Sequence, residues 1–426
     1  MATKDLGTDI GGYCLRLAEQ ARIAGRTLSI VSGRQRDLAL HRIADRIEQR
    51  AREIVEANGC DLEVADSDGR SEAFKGKLTL DATAVGQISD AVRQIADQVD
   101  PVGQVIEGRV LANGIRLQKM RVPIGVVLII YESRPNVTSD AAALCLKSGN
   151  AVILRGGKEA RHSNAALAAC IRAGLEAAGL DTNVVQFVEI SDRAAVGKLL
   201  QLEGLVDLCI PRGGESLIRA VVEQSRIPVI KHYTGNCHVY VDDQCDEQMA
   251  MDLCINAKTQ RPGVCNAAET LLFHHGTIES GLLGRVCEEL SNRNVQVRGD
   301  AQTCAAYPPA ERAGEEDWRT EYLDLIVAVR VVDGVTEAVD HINMYGSRHT
   351  DAIVTNDLAT AESFAKGVDS ANVFINCSTR FSDGGQYGLG AEIGISTDKL
   401  HARGPMGAAD LTTYKWIARG EGQLRD

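Results

Sequence analysis

Cys265 lies in the stretch Thr259-Gln260-Arg261-Pro262-Gly263-Val264-Cys265-Asn266-Ala267. A helix-like run, Asp246 to Ala257, precedes it, and an apolar strand-like run, Glu269-Thr270-Leu271-Leu272-Phe273, follows. The thiol is therefore expected on a loop between two ordered elements. Pro262 and Gly263 interrupt regular structure just before it. Such a loop can present a thiolate to a substrate while its flanks hold it still. The N–H groups it frees can stabilise a thiolate or an oxyanion. The competing reading is an inert core cysteine, the fate of most free cysteines.

Two glycine loops suit a phosphate. The apolar run Ala151-Val152-Ile153-Leu154 leads into Arg155-Gly156-Gly157-Lys158, and Pro211-Arg212-Gly213-Gly214 precedes a helical run from Glu215. Glycines past a strand end let backbone approach a ligand, and a helix N-terminus offers N–H groups and a positive dipole end. An anionic substrate needs arginine or histidine, and an amino group needs a carboxylate or carbonyls. Arg134, Arg261, Arg348, Arg380, His349 and Asp351 carry that chemistry. The run Gly384-Gly385-Gln386-Tyr387-Gly388-Leu389-Gly390 has no following Lys-Ser or Lys-Thr, so it is not expected to cradle phosphate.

These residues need a scaffold. The N-terminal third reads as helix, with Leu38, Leu40, Ile43, Ile47, Ala51 and Ile54 on one stripe. From Pro123 the pattern changes to short apolar strands alternating with helices. Strands are expected at 124–130, 151–154, 184–190, 205–210 and 228–230. Helices are expected after Thr138 or Ser139 as cap, and at 163–178, 192–200 and 215–224. A second block has strands at 238–241, 269–274, 325–331, 352–354 and 372–375. Its helices are expected at 246–257, 279–291, 335–343 and 359–366. Residues 302–319 read as an irregular insertion. Alternation of this kind implies two parallel sheets covered on both faces, with a junction near Thr234-Gly235-Asn236.

Composition narrows the partners. The 426 residues allow two or three domains, and 44% hydrophobic content is ordinary for a globular protein. Lys plus Arg number 46 against 58 Asp plus Glu, a net charge of −12. That balance disfavours nucleic acid and anionic membranes as partners. No apolar run approaches the ~20 residues of a membrane span, and the first residues lack a signal-peptide core. None of the 12 cysteines forms a Cys-x-x-Cys pair, so structural zinc is not expected and no metal is required. Free thiols in a reducing cytoplasm are the simplest reading.

The segment from Gln260 to Cys265 resembles the nucleophile loop of the aldehyde dehydrogenase superfamily. The longer string Ala257-Lys258-Thr259-Gln260-Arg261-Pro262 resembles the proline-biosynthesis branch of that superfamily. So do Tyr131-Glu132-Ser133-Arg134-Pro135-Asn136-Val137-Thr138, the stretch from His341 to Ile353, and Thr379-Arg380-Phe381 running into 401–407. Four strings in the family's order extend the likeness from about Leu38 to about Ile417.

The resemblance implies an aldehyde dehydrogenase-like α/β fold, with two parallel-sheet domains and a small hairpin-and-tail oligomerisation element. It implies an NADPH-binding domain at 1–107 and 122–235, and a catalytic domain at 236–383. The hairpin 108–121 and the tail 384–426 would form the oligomerisation piece of a homo-oligomer. Arg155 and Lys158 would face the adenosine ribose and favour NADPH, Gly213 and Gly214 the pyrophosphate, and Glu321 the nicotinamide ribose. Asn136 or Arg134 would occupy the place of the superfamily's oxyanion asparagine. Arg134, Arg261, His349 and Asp351 would bind substrate.

The implied reaction is reduction of L-glutamyl 5-phosphate to L-glutamate 5-semialdehyde and phosphate through a Cys265 thioester. A separate glutamate 5-kinase would supply the acyl phosphate. One departure matters. Hydrolytic members carry a glutamate at the domain junction, where this chain has Tyr233-Thr234-Gly235-Asn236. Without that base the acyl group is expected to leave to phosphate. The alternatives are an aldehyde dehydrogenase for another substrate, or a non-catalytic ligand-binding protein on the same fold.

Overall fold

The computed structural model describes residues 9–425. The chain forms two units: Met1–Lys231 with Gly388–Gly394 and Met406–Asp426, and His232–Tyr387 with Ile395–Pro405.

The first unit opens on five helices, Ile10–Leu28, Gly33–Gln49, Ala51–Ser67, Glu72–Leu78 and Ala82–Ala96. The apolar stripe expected across 38–54 is shared by two of them, because the chain turns at Arg50. Leu40, Ile43, Ile47 and Ile54 are buried, while Leu38 faces solvent and Ala39 takes the inward position. Helix Gly33–Gln49 packs against Arg161–Ala177 at Gly174, where a Cβ would lie 2.6 Å from Ile43 Cα. Only glycine permits that approach. Buried Asp61 caps the same helix from outside it. Its carboxylate accepts the N–H groups of His162 at 3.0 Å and Ser163 at 2.8 Å.

Four parallel strands follow, in the order Val185–Phe187, Ala151–Gly156, Val126–Tyr131, Leu208–Arg212. All six residues of Val126–Tyr131 are buried, as a strand covered on both faces requires. Cys14, Leu17, Ala18 and Ala21 of the first helix close one face over Val126, Leu128 and Ile153. Strand order reverses between Val126–Tyr131 and Leu208–Arg212, which makes their carboxyl ends the ligand-binding edge of such a sheet. Several expectations need correction. The run 184–190 is strand only at Val185–Phe187, and 228–230 makes a single bridge from Val229 to Cys209. Helix Asn136–Lys147 starts after Pro135 without a side-chain cap. Thr138 instead donates to Asn164 Oδ1 at 3.0 Å and meets the Tyr131 hydroxyl at 2.7 Å. The strands Val105–Val110, Arg116–Pro123 and Thr412–Arg419 form a separate antiparallel sheet with Arg116–Pro123 in the middle.

The second unit is a seven-stranded parallel sheet. Its order is Glu311–Arg312, Gln296–Gly299, Ile326–Val332, Ala268–His274, Cys237–Val241, Thr350–Val354, Asn372–Ile375. Val239, Leu271, Phe273, Val297 and Val329 pack with Cys254, Val286 and Leu290 from its helices. Gln296–Gly299 was not expected as a strand. The stretch 302–319 also holds more order than its sequence suggested: part of helix Ala301–Ala306, the edge strand Glu311–Arg312 and a 3-10 turn, Glu315–Arg319. Each piece is too short to show periodicity. Among the described residues, no helix is long and apolar enough to cross a membrane.

Candidate active site

Cys265 is half-buried on the loop between helix Glu247–Thr259 and strand Ala268–His274. Asp246 caps the helix by accepting the Met249 N–H at 2.8 Å. Ala267 N–H donates to Val264 O at 3.1 Å, which closes a turn around Cys265 and Asn266. The Asn266 amide donates to Ser382 O at 2.8 Å. Gly235 lies against this turn so closely that a Cβ there would sit 2.0 Å from Cys265 O and 2.5 Å from its Cα. Glycine is required at this position. The Gly235 N–H donates to Glu321 Oε1 at 2.8 Å. Glu321, expected at a ribose, here fixes the backbone that backs the thiol.

Histidines flank the thiol. His232, Cys265 and His349 each offer a ligand atom, and these atoms all lie within 4.8 Å of one another. The rings of His232 and His349 meet edge to face, 5.7 Å apart. His349 is buried, and its Nδ1 lies 2.9 Å from Thr350 Oγ1. That hydroxyl donates to Ser382 Oγ at 2.9 Å. Its single hydrogen is therefore spent, so it accepts from His349 Nδ1–H and Nε2 carries the ring's lone pair. Cys237 places its S–H 3.2 Å from Cys265 O. Burial pushes the Cys237 thiol well up, so it stays a protonated donor.

Asp351 requires a correction. Its side chain is fully buried. One oxygen accepts both the His238 N–H at 2.8 Å and His238 Nδ1 at 3.0 Å, and the other accepts the Ser370 hydroxyl. A carboxylate so enclosed is a structural partner of His238, not a ligand for a substrate amine. Arg348, in a left-handed conformation at φ +62, reaches toward Asp369 at 3.9 Å.

Arg261 is exposed on the cysteine loop, and Arg380 donates its Nε–H to Gln260 Oε1 at 2.8 Å. Burial and then the neighbouring Arg261 guanidinium hold Arg380 below the ordinary arginine range, while the charge of Asp383 acts the other way. Two cations that disfavour each other beside a thiol make a site that an anion relieves.

The other expected residues lie in the first unit, at the reversal point of its sheet. Arg155 is the penultimate residue of strand Ala151–Gly156, half-buried, and donates to Gly156 O at 3.1 Å and Ser191 O at 3.2 Å. Burial lowers its pKa. Lys158 is exposed at the start of a 3-10 turn. Gly213 and Gly214 lead into helix Glu215–Gln224, and the Gly214 N–H donates to Glu132 Oε2 at 3.0 Å. A Cβ on Gly213 would meet that carboxylate at 2.6 Å. The glycine cradle and the adjacent Arg155 and Lys158 fit a dinucleotide, whose pyrophosphate would take the place of Glu132 at the helix end. Arg134 is exposed, and Asn136 donates Nδ2–H to Asp140 Oδ2 at 2.9 Å. Burial, partly offset by this hydrogen bond, pushes Asp140 up to about 6.

Comparison with known proteins agrees with this geometry. A model of the "Aldehyde dehydrogenase family" matches residues 14–306. A gamma-glutamyl phosphate reductase from Sorangium cellulosum is 51% identical over 422 residues, covering 98% of this chain and 99% of its own. One from Thermobifida fusca is 50% identical over 418 residues, covering 98% and 100%. The crystal structure of the gamma-glutamyl phosphate reductase of Thermotoga maritima superposes with a TM-score of 0.95 at 43% identity, covering 97% and 100%. The chain belongs to the aldehyde dehydrogenase family, in its gamma-glutamyl phosphate reductase branch, and is an oxidoreductase of that family. The α/β fold implied by the sequence motifs is the fold observed, and the family uses a nicotinamide cofactor.

No local pattern in the sequence pointed to His232, which lies beside Cys265 in the fold. Nor did any reveal the pair formed by Lys258 Nζ and Glu269 Oε2, 2.5 Å apart and fully buried. Burial pushes Glu269 up to about 7 and Lys258 down, both toward the neutral form. These residues lie at the two ends of the cysteine loop. Removing one partner strands the other, at a cost of about 3–5 kcal/mol, whereas replacing both by apolar groups costs little. Lys258→Met should therefore lower the melting temperature sharply, and Lys258→Met with Glu269→Leu should recover most of the loss. Additive losses in thermal unfolding would show that the pair is not coupled.

Proposed function

We propose that this enzyme reduces L-glutamyl 5-phosphate to L-glutamate 5-semialdehyde and phosphate with NADPH, in the cytoplasmic synthesis of proline. The observation that carries the reading is Cys265 on a fixed loop beside Arg261 and Arg380, two guanidiniums whose mutual repulsion an acyl phosphate would relieve. Cys265, as thiolate, attacks the γ-carbonyl, and the phosphate departs toward the arginines. Backbone N–H groups of Cys265 and Asn266 hold the oxyanion. NADPH, held by Arg155, Lys158, Gly213 and Gly214 with Glu321 at the nicotinamide ribose, would supply the hydride to the thioester carbon. Cys265 is regained as the thiohemiacetal collapses. His349 contributes to the substrate pocket. A separate glutamate 5-kinase would make the acyl phosphate. The antiparallel sheet of Val105–Val110, Arg116–Pro123 and Thr412–Arg419 exposes Val105, Ile106, Val110, Tyr414 and Trp416, which suits an edge for a homo-oligomer.

Cys265→Ala and Cys265→Ser should both lose turnover while NADPH binding, read by fluorescence titration, survives. Serine is a far weaker nucleophile at neutral pH. Measurable turnover in either variant would remove Cys265 from the chemistry.

Replacing Arg155 and Lys158 together should raise the Michaelis constant for NADPH roughly tenfold or more, a loss of about 1.4 kcal/mol or more, and leave NADH little changed. Equal losses with both cofactors would mean that these cations do not read the 2′-phosphate.

The fate of the thioester separates this reading from a hydrolytic dehydrogenase. Residues 233–236 carry no carboxylate, Glu321 is tied to Gly235, and Glu269 is tied to Lys258 and Leu323. Semialdehyde plus NADP⁺ should yield at most one NADPH per site in phosphate-free buffer, then resume when phosphate is added. Continuous turnover before phosphate would show that water, with His232 as a nearby base, accepts the acyl group.

A further inference from the structure

Three side chains that suit a thiophilic cation converge in the second unit. His232, Cys265 and His349 present ligand atoms within 4.8 Å of one another. A tetrahedral zinc ion with Zn–S near 2.3 Å and Zn–N near 2.0–2.1 Å would bring such atoms to about 3.3–3.6 Å apart. Closing the remaining gap calls for small side-chain adjustments, chiefly of the half-exposed His232 and Cys265. The outer groups already resemble those of a metal site. His349 Nδ1 donates to Thr350 Oγ1 at 2.9 Å, and Thr350 is held by Ser382 at 2.9 Å. That fixes the tautomer in which Nε2 bears the lone pair, the form in which histidine binds metal. His232 and Cys265 are half-exposed, so a cation has a path in and a fourth position open to water.

We propose that His232, Cys265 and His349 form a site for a thiophilic divalent cation of the Zn²⁺ class, which binds in place of the acyl substrate and reversibly switches the enzyme off. Binding forms one Zn–S and two Zn–N bonds and releases the Cys265 thiol proton to solvent, with no change of oxidation state. The cation is an inhibitor here, since it occupies the sulfur that must attack the carbonyl. Cation binding itself stands apart from the proposed substrate; only the loss of turnover rests on Cys265 as nucleophile.

The test uses the full-length reduced protein with neither nucleotide nor substrate. One equivalent of Co²⁺ should give a thiolate-to-cobalt charge-transfer band with tetrahedral ligand-field bands, and Zn²⁺ should displace it. Cys265→Ala should lose the band while still binding NADPH. His232→Gln, at the exposed side of the site, should weaken Co²⁺ and Zn²⁺ binding by about 10-fold or more. Zn²⁺ should shield Cys265 from iodoacetamide, read by peptide mass mapping, and should stop turnover until a chelator is added. Absence of the cobalt–thiolate band overturns the site, as does unchanged affinity in His232→Gln, which would mark an isolated thiol. Full turnover by the zinc-loaded protein overturns the switch. Because the spectra are read without substrate, failure of the metal site and failure of the proposed reaction give different results.

Discussion

The buried contact between Lys258 and Glu269 sets the frame of the thiol. Lys258 belongs to the last turn of the helix before the cysteine loop, and Glu269 to the start of the strand after it. Neither is exposed, so each loses its hydration on folding, and a 2.5 Å contact offsets that loss. The second oxygen of Glu269 accepts the Leu323 N–H at 3.2 Å. Leu323 takes a left-handed conformation, φ +55, which a branched residue adopts only when its surroundings enforce it. Two residues earlier, Glu321 holds the Gly235 N–H, and Gly235 rests directly on Cys265. The contacts thus run from an ion pair at the base of the loop, through 321–323, to the backbone behind the sulfur. At the last of these contacts, Gly235 leaves no room for a side chain against Cys265.

The first unit handles charge differently. At the reversal point of its sheet, the carboxylate of Glu132 accepts the Gly214 N–H at the start of helix Glu215–Gln224. A helix N-terminus attracts an anion, and here the chain supplies one. A pyrophosphate that binds there must displace Glu132, which gives up a hydrogen bond and places a second negative charge nearby. Arg155 is already committed to two carbonyl oxygens, which aligns its guanidinium before a ligand arrives. Any anion arriving at this helix end would therefore compete with an internal one.

The cysteine loop was legible because its signals are local: a capped helix, Pro262-Gly263, then an apolar strand. Glycine loops at strand ends were legible for the same reason, and helix Glu215–Gln224 and strand Asn372–Ile375 fall where periodicity put them. Asp351 shows the limit. In the sequence it stands beside His349 and reads as a polar site residue. In the fold it is a strand residue, and parallel pairing opposite His238 turns it into an interior hydrogen-bond acceptor. Strand alternation alone could not decide which neighbour faced Cys265. Gln296–Gly299 escaped because it carries a single apolar side chain, Val297, and Glu311–Arg312 because it carries none. His232 and the Lys258–Glu269 pair depend on contacts that no local pattern encodes.

Burial then selects among twelve thiols. Seven are buried, and desolvation disfavours their thiolates: Cys14 is pushed up to about 11 and Cys287 to about 12. Even half-buried Cys245 is pushed up to about 11, with Asp242 adding to the effect of burial. Cys237 shows how local this selection is. It abuts the Cys265 carbonyl and the His349 ring, yet it is buried and serves as an S–H donor. Cys265 differs in its setting: half-exposed, on a turn, with imidazoles on one side and guanidiniums on the other. That placement follows from the glycine that lets two stretches of backbone touch.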